Sequence, residues 1–309
     1  MSAIVVNWNG ADLLADCLDS LKSQRGLLQT IVVDNGSVDG SREIGLKFGV
    51  TWIQLPRNMG LAYAFNAGAE AASGTVLLFL NNDLAVPDGF IEAVATGIAD
   101  PMLGALDVHH RDWHGTTPMH ERNEFRAPRR ILDHSSFIEA PSAVRAPCAF
   151  ASGACFTINA RTFETAGRWD AGFFAGWEDV DLSWRLRLLG YAVEYDPSLS
   201  IRHHVSASSG HAEGTKARTF AALTGRPRFA LKHAPAHIAF LAIAQLVGGT
   251  IRDVRSRPLL AIRLRALLVT ALELPALLRW RRRAYSASQT TPKAHWYAVA
   301  EASRSARSV

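Results

Sequence analysis

Thr75-Val76-Leu77-Leu78-Phe79-Leu80-Asn81-Asn82-Asp83 is a run of apolar residues that ends abruptly in three polar side chains. A strand without polar alternation is buried on both faces, and such strands belong to parallel sheets covered by helices. The segments before it repeat the theme. Leu61 to Ala72 is Ala-rich and helical, with Ser73-Gly74 as its stop, and Val50 to Gln54 reads as a strand. A helix is expected around Ser41 to Phe48, after the buried strand Ile31-Val32-Val33 and its closing turn Asp34-Asn35-Gly36-Ser37. Leu13, Leu14, Cys17, Leu18 and Leu21 recur at helical spacing behind a first strand, Ala3 to Val6, which ends at Asn7-Trp8-Asn9-Gly10. Strands alternating with helices predict an α/β fold with a mostly parallel central sheet and helices on both faces.

Ligands of open α/β sheets sit in the crevice at the carboxyl ends of the strands. Asn7 and Asn9, Asp34 and Asn35, and Asn81 to Asp83 all occupy such ends. Turn formation alone accounts for any one of these groups; three on different strands point to a site. The first strand–helix turn lacks G-x-G-x-x-G, and no G-x-x-x-x-G-K-[ST] occurs, so glycine-rich phosphate cradling is excluded. Carboxylate chemistry remains. Asp34 suits hydrogen bonds from a base or ribose, and Asp83 suits one or two contacts to a hard cation, with a further ligand from elsewhere.

Residues 107–148 differ in composition. Five of the 11 histidines (His109, His110, His114, His120, His134) lie there with several prolines. No His/Cys pair has a zinc-ligand spacing, so the stretch reads as a long active-site loop rather than a zinc site. Ser152 to Ile158 reads as a strand. Glu178 to Leu189 is expected to be a helix with Leu182, Leu186 and Leu189 on one face, an Asp181–Arg185 ion pair and Gly190 as its stop. Tyr191 to Tyr195 follows as a strand. Glu178-Asp179 opens that helix, where carboxylates are favoured by the helix dipole alone but are equally placed to act as a general base.

The chain has 309 residues, enough for one large domain or two modest ones. Its formal charge of +5 is uneven: residues 251–309 hold 12 Lys/Arg and 3 Asp/Glu, or +9, leaving 5 − 9 = −4 for residues 1–250. Past Pro227 the chain turns to long apolar helical stretches with arginines, Ile238 to Val247 and Leu259 to Leu278, then Arg279-Trp280-Arg281-Arg282-Arg283. Arg263, Arg265 and Glu273 exclude a membrane span. Apolar faces with clustered arginine suit a helix lying on an anionic membrane surface, while packing on the body or on a second copy, as a homo-oligomer, is the alternative. No nucleic-acid-binding motif is present. The opening residues lack a secretory signal, and three cysteines are too few for a disulfide framework, so a cytoplasmic location is expected.

Seven segments in order resemble family 2 glycosyltransferases of the GT-A fold, in particular their rhamnosyltransferase-like branch. They are Val5 to Gly10, Val32 to Ser41, Arg57-Asn58-Met59-Gly60-Leu61-Ala62, Leu80 to Asp83, Ser152-Gly153-Ala154, Gly167-Arg168-Trp169-Asp170 and Trp177 to Arg185. The resemblance covers residues 2 to about 230. It implies a GT-A domain at 1–230, leaving 231–309 as a basic amphipathic helical region. It also implies an inverting, metal-dependent transfer of a sugar from a nucleotide-diphosphate donor to a hydroxyl of a glycan or lipid-linked acceptor, at the inner face of the cell membrane. By this resemblance Asn7, Asn9, Asp34, Asn58, Gly60 and Asn82 serve the donor. Asp83 is the last position of a D-x-D element whose first position here is Asn81, and it would bind Mg²⁺ or Mn²⁺ with His203, although adjacent His204 is an equal candidate. Asp179 would be the catalytic base, supported by Glu178, with Trp177 and Gly153 on the acceptor side. The alternatives are a sugar-phosphate nucleotidyltransferase, which would carry a basic first loop absent from Asn7 to Asp12, and a non-catalytic nucleotide-sugar-binding protein at the membrane.

Overall fold

The computed structural model describes residues 1–128, 132, 136–204, 212–252 and 257–304. Its first third alternates as the hydrophobic pattern requires: β1 (Ser2–Asn7), α1 (Ala11–Lys22), β2 (Gln29–Asp34), α2 (Ser41–Phe48), β3 (Thr51–Gln54), α3 (Leu61–Glu70) and β4 (Val76–Asn81). These four strands are parallel, in the order β4-β1-β2-β3. The register pairs Asn7 with Asp34 and Val6 with Asn81, so the polar strand ends emerge along one edge of the sheet.

The chain continues with β5 (Leu84–Ala85), α4 (Phe90–Gly97), β6 (Leu103–Arg111), β7 (Pro118–His120), β8 (Arg122–Phe125), β9 (Phe137–Ala140), β10 (Ala146–Pro147), β11 (Cys155–Asn159), α5 (Ala160–Thr165), α6 (Glu178–Leu188) and β12 (Ala192–His203). The sheet extends past β4 as β11-β6-β12-β10, with β11 antiparallel to its neighbours and β6 parallel to β12. The fold is the mixed α/β sheet of the GT-A class. The long loop expected at 107–148 is instead built around strands among the described residues: β6 lies inside the sheet, buried along nearly all its length, and β7 to β10 follow it. The polar side chains of β6 are tolerated there because they find partners: Asp107 accepts from the Ser152 amide at 3.0 Å, and His109 Nδ1 lies 2.8 Å from the Tyr195 hydroxyl. His134 lies outside the described residues.

Two apolar layers cover the sheet. Leu14, Leu18, Phe90 and Val94 pack against Val5, Val32 and Leu80 on one face. On the other, Phe65, Phe163 and Trp169 pack against Ile4, Val33 and Phe79. The expected Asp181–Arg185 pair forms at 2.7 Å, and both groups are buried. Leu182 and Leu186 are buried, but Leu189, expected on the same face, is 49% exposed because the helix has already ended.

Four helices follow: α7 (Ala212–His233), α8 (Ala236–Arg252), α9 (Arg257–Ala287) and α10 (Pro292–Ala302). The boundary drawn at residue 230 falls inside α7. These helices share a core with the body: Phe229, Ile238, Leu277 and Trp296 pack with Phe125, Trp177 and Trp184. Lys232 and His233 both reach Asp181, the imidazole at 2.9 Å, while Arg228 bridges Asp170 at 2.7 Å and Glu273 at 2.5 Å. At the far end of α10, the buried Arg122 guanidinium donates to the Ser303 carbonyl, and the Ser303 hydroxyl accepts from the Phe125 amide at 3.0 Å. No helix among the described residues is long and apolar enough to cross a membrane.

Candidate active site

The strand ends along the sheet edge form one hydrogen-bonded network. Asn7 Nδ2 donates to Asp34 Oδ1 at 2.9 Å, and Asn82 Nδ2 donates to Asn7 Oδ1 at 2.6 Å. Asp34 also accepts from the Ser37 amide and hydroxyl and from Gln54 Nε2 at 2.6 Å. Asn9 holds the same turn, accepting from the Val38 amide at 2.9 Å. Gly10 sits so close to Asn82 that a Cβ would meet its Nδ2 at 2.2 Å, which is why the turn needs glycine. Asn58 Oδ1 accepts from the Gly60 amide at 3.0 Å and from Asn35 Nδ2 at 3.1 Å, joining the 57–60 turn to the end of β2. Gly60 has φ +92° and lies against the backbone of Phe174, whose carbonyl accepts from the Leu61 amide at 2.7 Å. All six donor-side residues read from the sequence are therefore gathered on this edge; Asn35, noted as a strand-end residue, lies with them, and Ser37 and Gln54 join without having been singled out.

Asp83 lies at the same end of the sheet. Its Oδ1 is buried and makes no hydrogen bond, although His203 Nε2 stands 3.2 Å away. An octahedral cation with ligands at about 2.1 Å sets neighbouring donors about 3.0 Å apart. A carboxylate oxygen and an imidazole nitrogen at this separation, not bonded to each other, fit a shared divalent cation of the Mg²⁺ or Mn²⁺ kind. The two adjacent histidines part here: His204 stacks its ring on Trp113 at 3.8 Å between centroids and only its amide reaches the Asp83 carbonyl.

Asp179 is linked to Asp83 through a single loop. The Asn81 amide donates to the Ala154 carbonyl at 3.0 Å, and the neighbouring Gly153 amide donates to Asp179 Oδ2 at 3.0 Å. A Cβ at Gly153 would meet Asp179 and Glu178 at 3.3–3.4 Å. Asp179 Oδ1 accepts from the Val180 amide at 2.8 Å, as suits a carboxylate in the first turn of α6. Glu178 is 3% exposed and its Oε2 lacks a hydrogen bond. Burial, reinforced by the Asp179 charge, pushes the Glu178 carboxyl up to about 8. Burial likewise raises Asp179, against the pull of its amide donors. A buried carboxyl pair that holds on to a proton is the electrostatic signature of an acid–base site.

Asp179 opens onto a cavity of about 520 Å³ walled by Phe137, Phe150, Gly176, Trp177 and Arg218. Trp177 takes a left-handed backbone conformation, φ +75°, and packs its ring on Phe229 at 5.3 Å. So the expected acceptor-side residues, Trp177 and Gly153, both border Asp179. Phe137 and Phe150 were missed; as lone aromatics in a proline-rich stretch they carried no pattern.

A family model, glycosyl transferase family 2, matches residues 2–164, just over half of the chain. The chain belongs to glycosyl transferase family 2. Among curated relatives, the pre-mycofactocin glycosyltransferase of Mycobacterium tuberculosis is 27% identical over 185 residues, covering 59% of this chain and 38% of the relative. The poly-beta-1,6-N-acetyl-D-glucosamine synthase of Staphylococcus epidermidis is 23% identical over 209 residues, 64% of this chain and 48% of the relative. The chain thus spans less than half the length of these two relatives. Among solved structures, the mannosyltransferase PcManGT of Pyrobaculum calidifontis in complex with GDP-Man and Mn²⁺ superposes with a TM-score of 0.55 at 17% identity, covering 99% of this chain and 87% of that one. GalNAc-T7 with UDP, GalNAc and Mn²⁺ gives 0.61 at 16% identity over 89% and 56% of the two chains. At such identities the likeness is one of fold.

Proposed function

We propose that this glycosyltransferase is an inverting, metal-dependent enzyme that moves a sugar from a nucleotide-diphosphate donor to a hydroxyl of a glycan or lipid-linked acceptor. The observation that carries the reading is the single loop, Ser152-Gly153-Ala154, that ties both the Asp83 strand end and the Asp179 carboxylate to one end of the sheet. Asp34, Asn7 and Asn58 line the place for the nucleoside and its phosphates. Asp83 and His203 would hold Mg²⁺ or Mn²⁺, which when bound offsets the charge building on the departing diphosphate.

The acceptor hydroxyl enters from the aromatic cavity and gives its proton to Asp179 as its oxygen attacks the anomeric carbon. Attack from the side opposite the leaving group inverts the anomeric centre. A raised proton affinity suits Asp179 to this task, since a general base works best with a pKa drawn toward the working pH. Glu178, buried beside it, holds the pair's proton near neutrality and so sets when Asp179 is free to accept one. Rhamnose or galactose is the donor sugar toward which the branch resemblance tilts.

The reading extends to location: a cytoplasmic enzyme resting on the inner face of the membrane. On α9, Leu264, Leu268 and Leu272 follow one another at helical spacing and are 52%, 60% and 72% exposed, beside exposed Arg265, Arg279, Arg282 and Arg283. An exposed apolar row with flanking arginine supports docking on anionic lipid. Trp280 takes no part, because its ring faces inward onto Lys232 at 4.3 Å; Arg281 likewise turns inward, to the Leu231 and Ala234 carbonyls.

The test is nucleotide release from UDP-, dTDP- and GDP-sugars with Mn²⁺, with and without a lipid-linked acceptor. Asp179→Asn is expected to keep donor binding and lose about 10²–10⁴-fold in turnover, the usual worth of a general base. Near-normal turnover by that variant would remove the assignment.

A further inference from the structure

Among the described residues, apart from Asp83 with His203 and the Glu178–Asp179 pair, one further set of side chains able to ligate a metal converges in the sheet. Asp107 and His110 of β6 and His120 of β7 each bring a donor atom within 4.8 Å of the other two. Asp107 and His110 are fully buried, and the His120 side chain is 14% exposed. None of the three is used by the proposed chemistry.

The outer atoms of this set are held from behind. Asp107 Oδ1 accepts from the Ser152 amide at 3.0 Å, while Oδ2 faces His120 Nε2 at 3.0 Å. The far nitrogen of His120, Nδ1, faces Glu139 Oε1 on β9 at 3.4 Å. Asn123 Nδ2 also approaches His120 Nε2, at 3.3 Å. His110 Nε2 is buried and without a hydrogen-bond partner, an arrangement that proteins rarely leave unexplained. Its ring packs against His120 at 4.7 Å and His203 at 5.5 Å between centroids.

A hydrogen-bonded His120–Asp107 pair accounts for two of these residues but leaves the third idle. An ion accounts for all three. We propose that Asp107, His110 and His120 form a second metal site, of the zinc class, separate from the cation held by Asp83 and His203. Two imidazole nitrogens and one carboxylate oxygen are a zinc-type donor set. A carboxylate on the far nitrogen of a ligating histidine, as Glu139 stands to His120, is the usual outer-sphere partner of such a ligand. Tetrahedral zinc with bonds of about 2.1 Å needs donors about 3.4 Å apart. The His120–Asp107 contact would open by a few tenths of an ångström and the widest separation would close by about 1.4 Å, movements within reach of side-chain adjustment.

The consequence concerns the catalytic loop. Asp107 grips the Ser152 amide, and the next amide, Gly153, grips Asp179. A metal here would fasten β6, β7 and that loop into one rigid piece beneath the base.

The experiment uses the full chain, stripped with a chelator and titrated with Co²⁺ and then Zn²⁺. Expected is one equivalent of Co²⁺ with the intense visible bands of a low-coordinate nitrogen–oxygen site, displaced by Zn²⁺. His110→Gln weakens that binding at least tenfold, whereas Asp83→Asn leaves it unchanged. Glu139→Gln, which removes no ligand, weakens it by about 10–100-fold and guards against misfolding of the His110 variant. Absence of stoichiometric binding overturns the proposal. So does binding that Asp83→Asn abolishes while the His110 and Glu139 variants leave it intact.

Discussion

Replacing Glu178 by Gln removes a buried carboxyl whose charged form the fold disfavours. Ordinarily such a group titrates at 4.5, and burial beside Asp179 carries it to about 8. At 1.36 kcal/mol for each pH unit this corresponds to an upper bound of about 5 kcal/mol. The sign follows from proton counting. Between 4.5 and about 8 the folded chain binds a proton that the unfolded chain has released, so stability falls as pH rises through that window. The wild type should therefore lose stability relative to a Glu178 variant from pH 5 to pH 8, while His110, His233 and His295, which burial holds neutral, act on both proteins alike. Glu178→Gln should flatten the profile and melt higher than the wild type at pH 8, by roughly 2–4 °C for every kcal/mol recovered. Because Glu178 is already uncharged below about 8, the amide leaves Asp179 in nearly the same field, and the acid side of the activity profile should stay where it is. Differential scanning calorimetry across the window is the assay, paired with initial rates. A difference in melting temperature between wild type and variant that stays constant from pH 5 to pH 8 would refute the electrostatic reasoning.

Three further outcomes follow. Gly60→Ala, at φ +92° with the Phe174 carbonyl 2.6 Å from the new Cβ, should cost about 1–3 kcal/mol and lower the melting temperature. Asp83→Asn should abolish the gain in nucleoside-diphosphate affinity that Mn²⁺ confers, measured by calorimetry with and without the ion, while leaving the fold intact. Leu268→Asp combined with Leu272→Asp should reduce co-sedimentation with anionic vesicles at least tenfold, on about 2 kcal/mol for each leucine withdrawn from the lipid; equal sedimentation of both proteins would end the membrane reading.

What was legible in the sequence is what local rules govern. Leu77 to Leu80 had to be a covered strand because nothing polar interrupts it, and the polar residues after it had to surface at the sheet edge. The seven motif segments then singled out Asp34, Asp83 and Asp179, whose hydrogen bonds the structure joins at one end of the sheet. The His-rich stretch failed the same logic. Asp107, His109 and His110 break the apolar run of β6, so the pattern reads as a loop, yet their partners lie on β12 and on the 150s loop, far off in sequence. Asp107 and His110 are three apart, and strand alternation puts such residues on opposite faces. The register slips beside them in β12, where Asp196 pairs with Val108 but Ser200 with His109, and no sequence rule announces that irregularity or the convergence of the two side chains. Likewise Trp280 and Arg281 look like a membrane anchor in isolation, and only the packing of α9 on α7 turns them inward.

The clasp between Arg122 and Ser303 joins residues 181 positions apart. Phe125, beside that clasp, packs against Phe137, which walls the cavity at Asp179. Contacts so distant along the chain close late, after the loop entropy between them has been overcome. On the ribosome, the first four strands and their nucleotide-side edge have every partner they need long before residue 303 is made. On the proposed reading, the donor-side edge would be complete in the chain before the wall of the cavity at Asp179 is clamped from residue 303.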